Sequence, residues 1–496
     1  MFRVSLFILF LISFFFPFSD TRAGSPPYAL TLIDEANHKA LHKEKYWHTL
    51  LHYKSGIFGL RSLIDDPNFF LAPDGKHNPQ AELEATIRAL FQEPREGTKH
   101  PVCKFVARYH WLKGQLNIDP SQLPMPECNH FEQLMAEIKP ETVSLIFPTS
   151  HINSPASMFG HTLLTIETDS RSKLLSHAIN YSAITTDTFG PLFAVKGLFG
   201  FYKGYFSILP YYGKLQEYND IDHRDIWEYP LNFNKEETLR LLMHVYELDS
   251  IYSDYYFFDE NCSYDLLFLL DVGRPSLNIA DQMDLWVIPI DTIKVAKKNG
   301  LINEAIYRPS KTTKVQYIAS LLPKKDHVLA LAIAKGEIEP DDVLAQAISQ
   351  EEKAITCDLA IEYLQYLYTK KSIEKQHYLD RFLKLLKTRS TLGQTGENHF
   401  DIPHPPRPDE GHDSNRLSLG AGIKKDRFFY EVRYRPAYHS LLDNGKGYPE
   451  GSQISFGDTV LRYYPSLNRL KLETLDFIDI ISITPRDLFF KPISWK

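Results

Sequence analysis

The sequence predicts an α+β protein, on three observations. Apolar residues recur at three-to-four spacing from Ala29 to about Leu134, short alternating runs between turn signals begin at Val143, and more alternating runs come after a Pro-rich stretch near the C terminus. A chain of 496 residues is long enough for roughly three domains, each with its own core.

The first element is a targeting segment. One Arg at position 3 precedes an uncharged apolar run from Val4 to Phe18 and a small-residue exit at Ala23. This is the tripartite pattern of a secretory signal, so residues 1–23 are expected to be removed. The run is shorter than the roughly 18–20 residues a bilayer span needs, and the rest of the chain has no second run of that length. The mature chain is therefore expected outside the cytoplasm, water-soluble or peripherally attached to a membrane. A net charge of −7 with signs mixed throughout shows no basic stripe, which argues against nucleic acid as a partner.

Residues 24–135 read as a helical N-terminal module, from Tyr46–His52 and Ala81–Phe91, with Asp74-Gly75 and Asn78-Pro79 as punctuation. Two of the four cysteines, Cys103 and Cys128, lie here and are natural disulfide partners in an oxidising compartment. Residues 136–300 change texture. Val143–Phe147, His161–Ile166 and Leu174–Ser182 read as strands, and Asn234 with Glu237 three residues on caps a helix whose apolar face includes Leu239, Leu242 and Val245. Residues 301–400 return to helix. Cys357 sits there among Ala354, Ile355, Leu359 and Ala360, as a buried structural thiol would.

The linker Ile402–Pro408 then separates a β-rich region, residues 401–496. About four antiparallel strands make a poor closed unit. Either they pack on the preceding helices, or the chain stops short of a larger β structure. Aromatic residues reach 13% and cluster, as at Tyr252, Tyr255, Tyr256, Phe257 and Phe258. Most belong in cores, and a minority would suit a groove for an apolar substrate.

The chemistry centres on Cys262. Asn261 is a good N-cap, and Leu266, Leu267, Leu269 and Leu270 continue a buried helix that ends near Gly273, so the thiol falls in the first helical turn. Unpaired amides and the positive end of the helix dipole favour thiolate there. Asp259 and Glu260 would oppose ionisation if they faced the sulfur. His161, after Gly160 at the opening of a predicted strand, is the candidate general base. Thiol catalysis also wants a polar group that orients the imidazole, and His177 and Asn180 on the next strand are the candidates. Being three apart they face opposite sides, so at most one serves; neighbouring strand histidines favour His177 slightly.

These residues resemble the circularly permuted papain-like enzymes, which include the lecithin-retinol acyltransferase group and are akin to NlpC-type cell-wall peptidases, above all in the Asn261-Cys262 step. More closely, the words SMFGHT, AINYSA, KGLFGFYKGYFSILPYY, RDIWEYPL and FFDENCSY resemble the bacterial family of the Lnb N-terminal periplasmic domain. The resemblance implies a periplasmic location and a permuted papain-like α+β module. It also implies acyl transfer by Cys262 as nucleophile with His161 as base. A membrane-embedded part of the kind that comes after that domain in its namesake is not expected from this sequence.

In the long aromatic-glycine word, Lys196, Tyr205, Ser207, Tyr211, Tyr212, Lys214 and Tyr218 either line a substrate groove or form a loop packed by its own aromatics. Arg224, Asp225, Trp227 and Glu228 read as structural pairing. The leading expectation is a thiol acyltransferase or amidohydrolase. It would act without cofactor on envelope lipid, lipoprotein or cell-wall substrates through a thioester, with peripheral attachment to the outer membrane as an accompanying expectation. The alternative is a non-catalytic envelope scaffold whose β-rich end docks to the outer membrane or a partner. A metal site at His151, His161 and His177 finds no support in ligand spacing.

Overall fold

The computed structural model describes residues 26–56, 59–93, 100–150, 159–168, 173–185, 187, 190–221, 224–283, 286–393 and 400–496. The expected signal segment, residues 1–23, and His151 lie outside the described residues. The chain is α+β, with antiparallel sheets. No helix among the described residues is long and apolar enough to cross a membrane.

The N-terminal part carries α1 (Pro27–His38), α2 (Lys45–Leu50), the hairpin β1 (Tyr53–Gly56) and β2 (Gly59–Ser62), α3 (Pro79–Ala89), α4 (Pro101–Lys104), α5 (Val106–Leu116) and α6 (Asn129–Ile138). Asn78 caps α3 by accepting from the Ala81 N–H, and Pro79 opens the helix where its missing N–H costs nothing. A disulfide joins Cys103 to Cys128, with a sequence separation of 25. Arg108 of α5 is fully buried and pairs with Glu82 of α3 at 2.8 Å, while its backbone N–H donates to Glu247 at 2.9 Å. A buried guanidinium between two carboxylates welds these helices to the segment that carries Glu247, since removing it would leave both charges unpaired.

A seven-stranded antiparallel sheet forms the centre. Its strands are β3 (Pro140–Pro148), β4 (Leu163–Thr168), β5 (His177–Ile184), β6 (Tyr202–Pro210), β7 (Ile226–Pro230), β8 (Tyr252–Tyr255) and β9 (Ile306–Arg308), in the order β8-β6-β5-β4-β3-β7-β9. Between them run α7 (Gly190–Leu198), α8 (Tyr211–Leu215), α9 (Lys235–Glu247), α10 (Cys262–Gly273) and α11 (Pro289–Lys298). α9 starts in a full capping box between Asn234 and Glu237. α10 is buried along its whole length and packs on β4, β5 and α9, so its leucines have no polar face to show. The predicted strand from His161 begins only at Leu163, which leaves His161 on the segment leading into β4.

Helices α12 (Lys311–Ser320), α13 (Lys324–Lys335), α14 (Gln350–Thr369) and α15 (Lys375–Thr391) form a second core with Phe489 and Phe490 from the C-terminal tail. The last sheet contains β10 (Arg416–Lys424), β11 (Arg427–Arg435), β12 (Ala437–His439), β13 (Ser452–Tyr464) and β14 (Arg469–Ser482), with β10 and β14 at its margins. Its near end packs on the central core, where Phe456 lies 4.3 Å from Phe258, centroid to centroid. The far end has two different faces. One cross-strand row reads Leu419, Val432, Leu461, Leu472 and the next reads Ala421, Tyr430, Tyr463, Leu470. The opposite face carries Arg433 paired with Asp458 and Arg462 paired with Glu431.

Candidate active site

Asn261 sits at the N-cap of α10 in an extended conformation, and its Oδ1 accepts from the Ser263 and Tyr264 N–H groups at 2.8 and 3.2 Å. Its Nδ2 donates to the carbonyls of Phe257 and Val287 at 3.0 and 2.7 Å. Both ends of the amide are thus committed, which fixes the entry of the helix and leaves Cys262 as its first residue. Cys262 is 4% exposed. It is hydrogen-bonded to His161, to the Thr162 N–H and to the Ser263 hydroxyl.

The imidazole is held from its other side. His161 Nε2 meets Asn180 Oδ1 at 2.7 Å, and Asn180 Nδ2 donates to Ser182 Oγ at 3.1 Å. Because the amide nitrogen is spent on Ser182, the oxygen faces the ring, so Nε2 carries the proton and Nδ1 is left to accept one from the thiol. Burial alone would raise the Cys262 pKa. The charge of His161 and the hydrogen bonds from His161, Thr162 and Ser263 outweigh it and hold the thiol at about 7. Burial likewise opposes a charged His161, but the sulfur beside it and the bond to Asn180 bring its pKa above the ordinary value. Cys357, the other free cysteine, goes the opposite way: burial pushes its thiol up to about 12. The acidic neighbours do not undo the activation, since burial with Asp259 and Asp65 nearby pushes Glu260 up to about 8 and leaves it mostly neutral at pH 7.

Tyr255, at the end of β8, is not distinguished by the sequence from its aromatic neighbours. Its hydroxyl is hydrogen-bonded to both the backbone N–H and the sulfur of Cys262, and burial, with Cys262 second, raises its pKa well above the usual value. It stays a neutral phenol with a proton to donate. The signal for it is the aromatic run just upstream of Asn261-Cys262, which does not by itself say which ring reaches the sulfur.

A cleft of about 280 Å³ opens over these groups. Phe159, Phe193, Tyr218 and Phe257 give it apolar wall, and Lys214, Glu217 and Arg224 give it polar rim. A larger hollow of about 780 Å³ beside Arg308, Lys314 and Phe400 contains none of the thiol groups.

Several expected positions fall elsewhere. His177 does not orient His161: it faces away from the cleft, with Nε2 3.6 Å from Glu137, because residues three apart on β5 point to opposite faces and Asn180 has the inner one. Of the expected groove residues Lys214 and Tyr218 line the cleft. Lys196 pairs with Asp187 at 2.8 Å, and Tyr205 packs beside Tyr252. Tyr211 is buried and donates to Glu228 at 2.7 Å, and Tyr212 is exposed. Ser207 supports the site from behind, its hydroxyl donating to the Asn180 carbonyl at 3.3 Å. Arg224, Asp225 and Glu228 do make structural pairs: Arg224 donates to the Thr149 and Pro148 carbonyls at 2.6 and 2.7 Å while also lining the cleft, and Asp225 and Glu228 meet Tyr307 and Arg308.

Residues 130–299 match the family described as the Lnb N-terminal periplasmic domain. Three further families, each described as a domain of unknown function, match residues 39–115 (DUF7843), 305–399 (DUF7842) and 405–496 (DUF7840). No curated protein and no solved structure matches the chain. His161, Asn180, Tyr255, Asn261 and Cys262 all fall within the first of these stretches, the part of the chain that is similar to the Lnb N-terminal periplasmic domain family.

Proposed function

We propose that this chain is a periplasmic cysteine-dependent acyltransferase or amidohydrolase, built on a circularly permuted papain-like module. The observation that carries the reading is the hydrogen-bonded series Cys262–His161–Asn180 at the head of a buried helix and at the floor of a cleft. A thiol held at about 7 is substantially ionised at neutral pH, as a nucleophile requires. The disulfide fits an oxidising compartment.

In the proposed reaction the Cys262 sulfur attacks an acyl carbonyl and a C–S bond forms. His161 holds the thiol proton and delivers it to the departing alcohol or amine as the old acyl bond breaks. The oxygen that becomes negative in between accepts from the Tyr255 hydroxyl, which is released from the sulfur as the C–S bond forms. An incoming amine or water then loses its proton to His161 and attacks the thioester, which regenerates the thiol. The mix of aromatic wall and charged rim suits a substrate with an apolar chain and a polar head. Phospholipid esters, the acyl esters of a lipoprotein's anchor and cell-wall amides are the classes to test, with attachment to the outer membrane bringing the first two within reach.

The decisive experiment is intact-mass analysis after incubation with envelope lipids and lipoproteins. An acyl adduct on Cys262 is expected, absent in Cys262→Ala and strongly reduced in His161→Ala. Turnover of the substrate by Cys262→Ala at the wild-type rate would end the proposal.

A further inference from the structure

The far end of the C-terminal sheet presents an apolar face to solvent. Leu419 is 80% exposed, Ile423 73%, Leu470 65% and Leu472 56%, and all stand on one side of four paired strands. Tyr430 and Tyr463 lie between them on the two central strands. Soluble proteins seldom leave a contiguous surface of this kind uncovered. The other side of the same strands carries the Arg433–Asp458 and Arg462–Glu431 pairs, with Phe429 and Tyr464 covered among them and a register shift at Val460/Leu461. The register of the strands therefore places large apolar side chains on one face and charged pairs on the other, and a one-residue slip would exchange the two sets.

The two hairpin tips lie at the same end of the sheet, since Tyr430 is opposite Tyr463 near both turns. That end is basic: Lys425, Arg427, Arg469 and Lys471 stand there against Asp426, and Glu473 is taken up by Lys424 and Arg462. An apolar surface bordered by positive charge matches the two chemistries a lipid bilayer offers in the same order, acyl chains and then anionic headgroups. We propose that this face is a docking surface for a bilayer containing anionic phospholipid. The sheet lies with its Leu/Ile rows against the acyl region and its basic tips among the headgroups. The proposal deepens the envelope reading given above, yet the face contains no residue of the thiol site.

The test is co-sedimentation of the full chain with vesicles of phosphatidylcholine alone and of phosphatidylcholine with about 30% phosphatidylglycerol, at low and high salt. Binding to the anionic vesicles is expected, weakened by salt. A variant combining Leu419→Ser, Ile423→Ser and Leu470→Ser should bind about 100-fold more weakly with an unchanged melting temperature, because all three side chains are already in water. Lys425→Glu with Arg427→Glu should remove the preference for anionic lipid. Cys262→Ala should bind as the wild type does, which separates this surface from the fate of the catalytic proposal. Failure of the wild type to bind either vesicle overturns the proposal. So does equal binding by the triple Ser variant, or a wild-type dimer that the triple variant dissociates without any vesicle binding.

Discussion

Replacing His161 with Ala tests the coupling at the centre of the site. The Cys262 thiol stands at about 7 where an ordinary cysteine stands near 9, so at pH 7 roughly half of it is thiolate against about 1% for a free cysteine, a gain of about fifty-fold. Lower basicity costs intrinsic nucleophilicity. With a Brønsted slope of about 0.4–0.5, two units take back roughly six- to tenfold. The net advantage in alkylation rate at pH 7 is then only about five- to eightfold, so the midpoint of the pH profile is the informative readout rather than a single rate. In His161→Ala burial is opposed only by the Thr162 and Ser263 hydrogen bonds, and the midpoint should move up by about two units, equivalent to about 3 kcal/mol of lost interaction. The assay is iodoacetamide alkylation of Cys262 from pH 5.5 to 10, followed by intact mass, with Cys357 as the unreactive internal control. A wild-type midpoint above 8.5, or a His161→Ala midpoint within half a unit of wild type in a folded protein, would refute the coupling.

Three further expectations come from the geometry. Asn180→Ala should lower thioester formation about tenfold by releasing the imidazole, while His177→Ala should leave it within about twofold, measured as acyl-adduct yield per unit time. Glu260 has a raised pKa, so its neutral form is favoured by folding: it costs nothing below the ordinary carboxylate range, and stability falls as pH climbs from about 4.5 toward about 8. Glu260→Gln should therefore raise the thermal midpoint at pH 8 and leave it unchanged near pH 4; a gain equal at both values would contradict the assignment. Opening the Cys103–Cys128 bridge, which closes a separation of 25 residues, should cost about 3 kcal/mol by loop entropy, read from urea unfolding of the Cys103→Ser/Cys128→Ser variant.

Local signals are legible in the sequence, and tertiary ones are not. Asn261 announces a helix start, and Asn234 with Glu237 announces another, because capping depends on residues within one turn. Cys103 and Cys128 can be paired from compartment and proximity alone. The choice between His177 and Asn180 cannot be made, since both readings of β5 satisfy its alternation and only the packing of α10 decides which face looks at the sulfur. Tyr255 is hidden for a similar reason. It reaches Cys262 from β8, a short margin strand that pairs with β6 some fifty residues earlier. The same non-local pairing explains why Tyr205, Tyr211 and Tyr212, neighbours in one aromatic word, end up in three different surroundings.

Phe258, four residues ahead of the reactive cysteine, is covered by Phe456 and by Trp286, whose ring centroids lie 4.3 and 4.9 Å away. Phe159, two residues before His161, rests against Tyr438 at 5.7 Å. Two segments that supply the nucleophile and the base therefore lean on rings contributed by residues beyond 430. A gene trimmed at the linker near residue 405 would encode every reacting group and yet strip the lids from both segments, so a shortened protein that fails to react would say more about lost support than about lost chemistry.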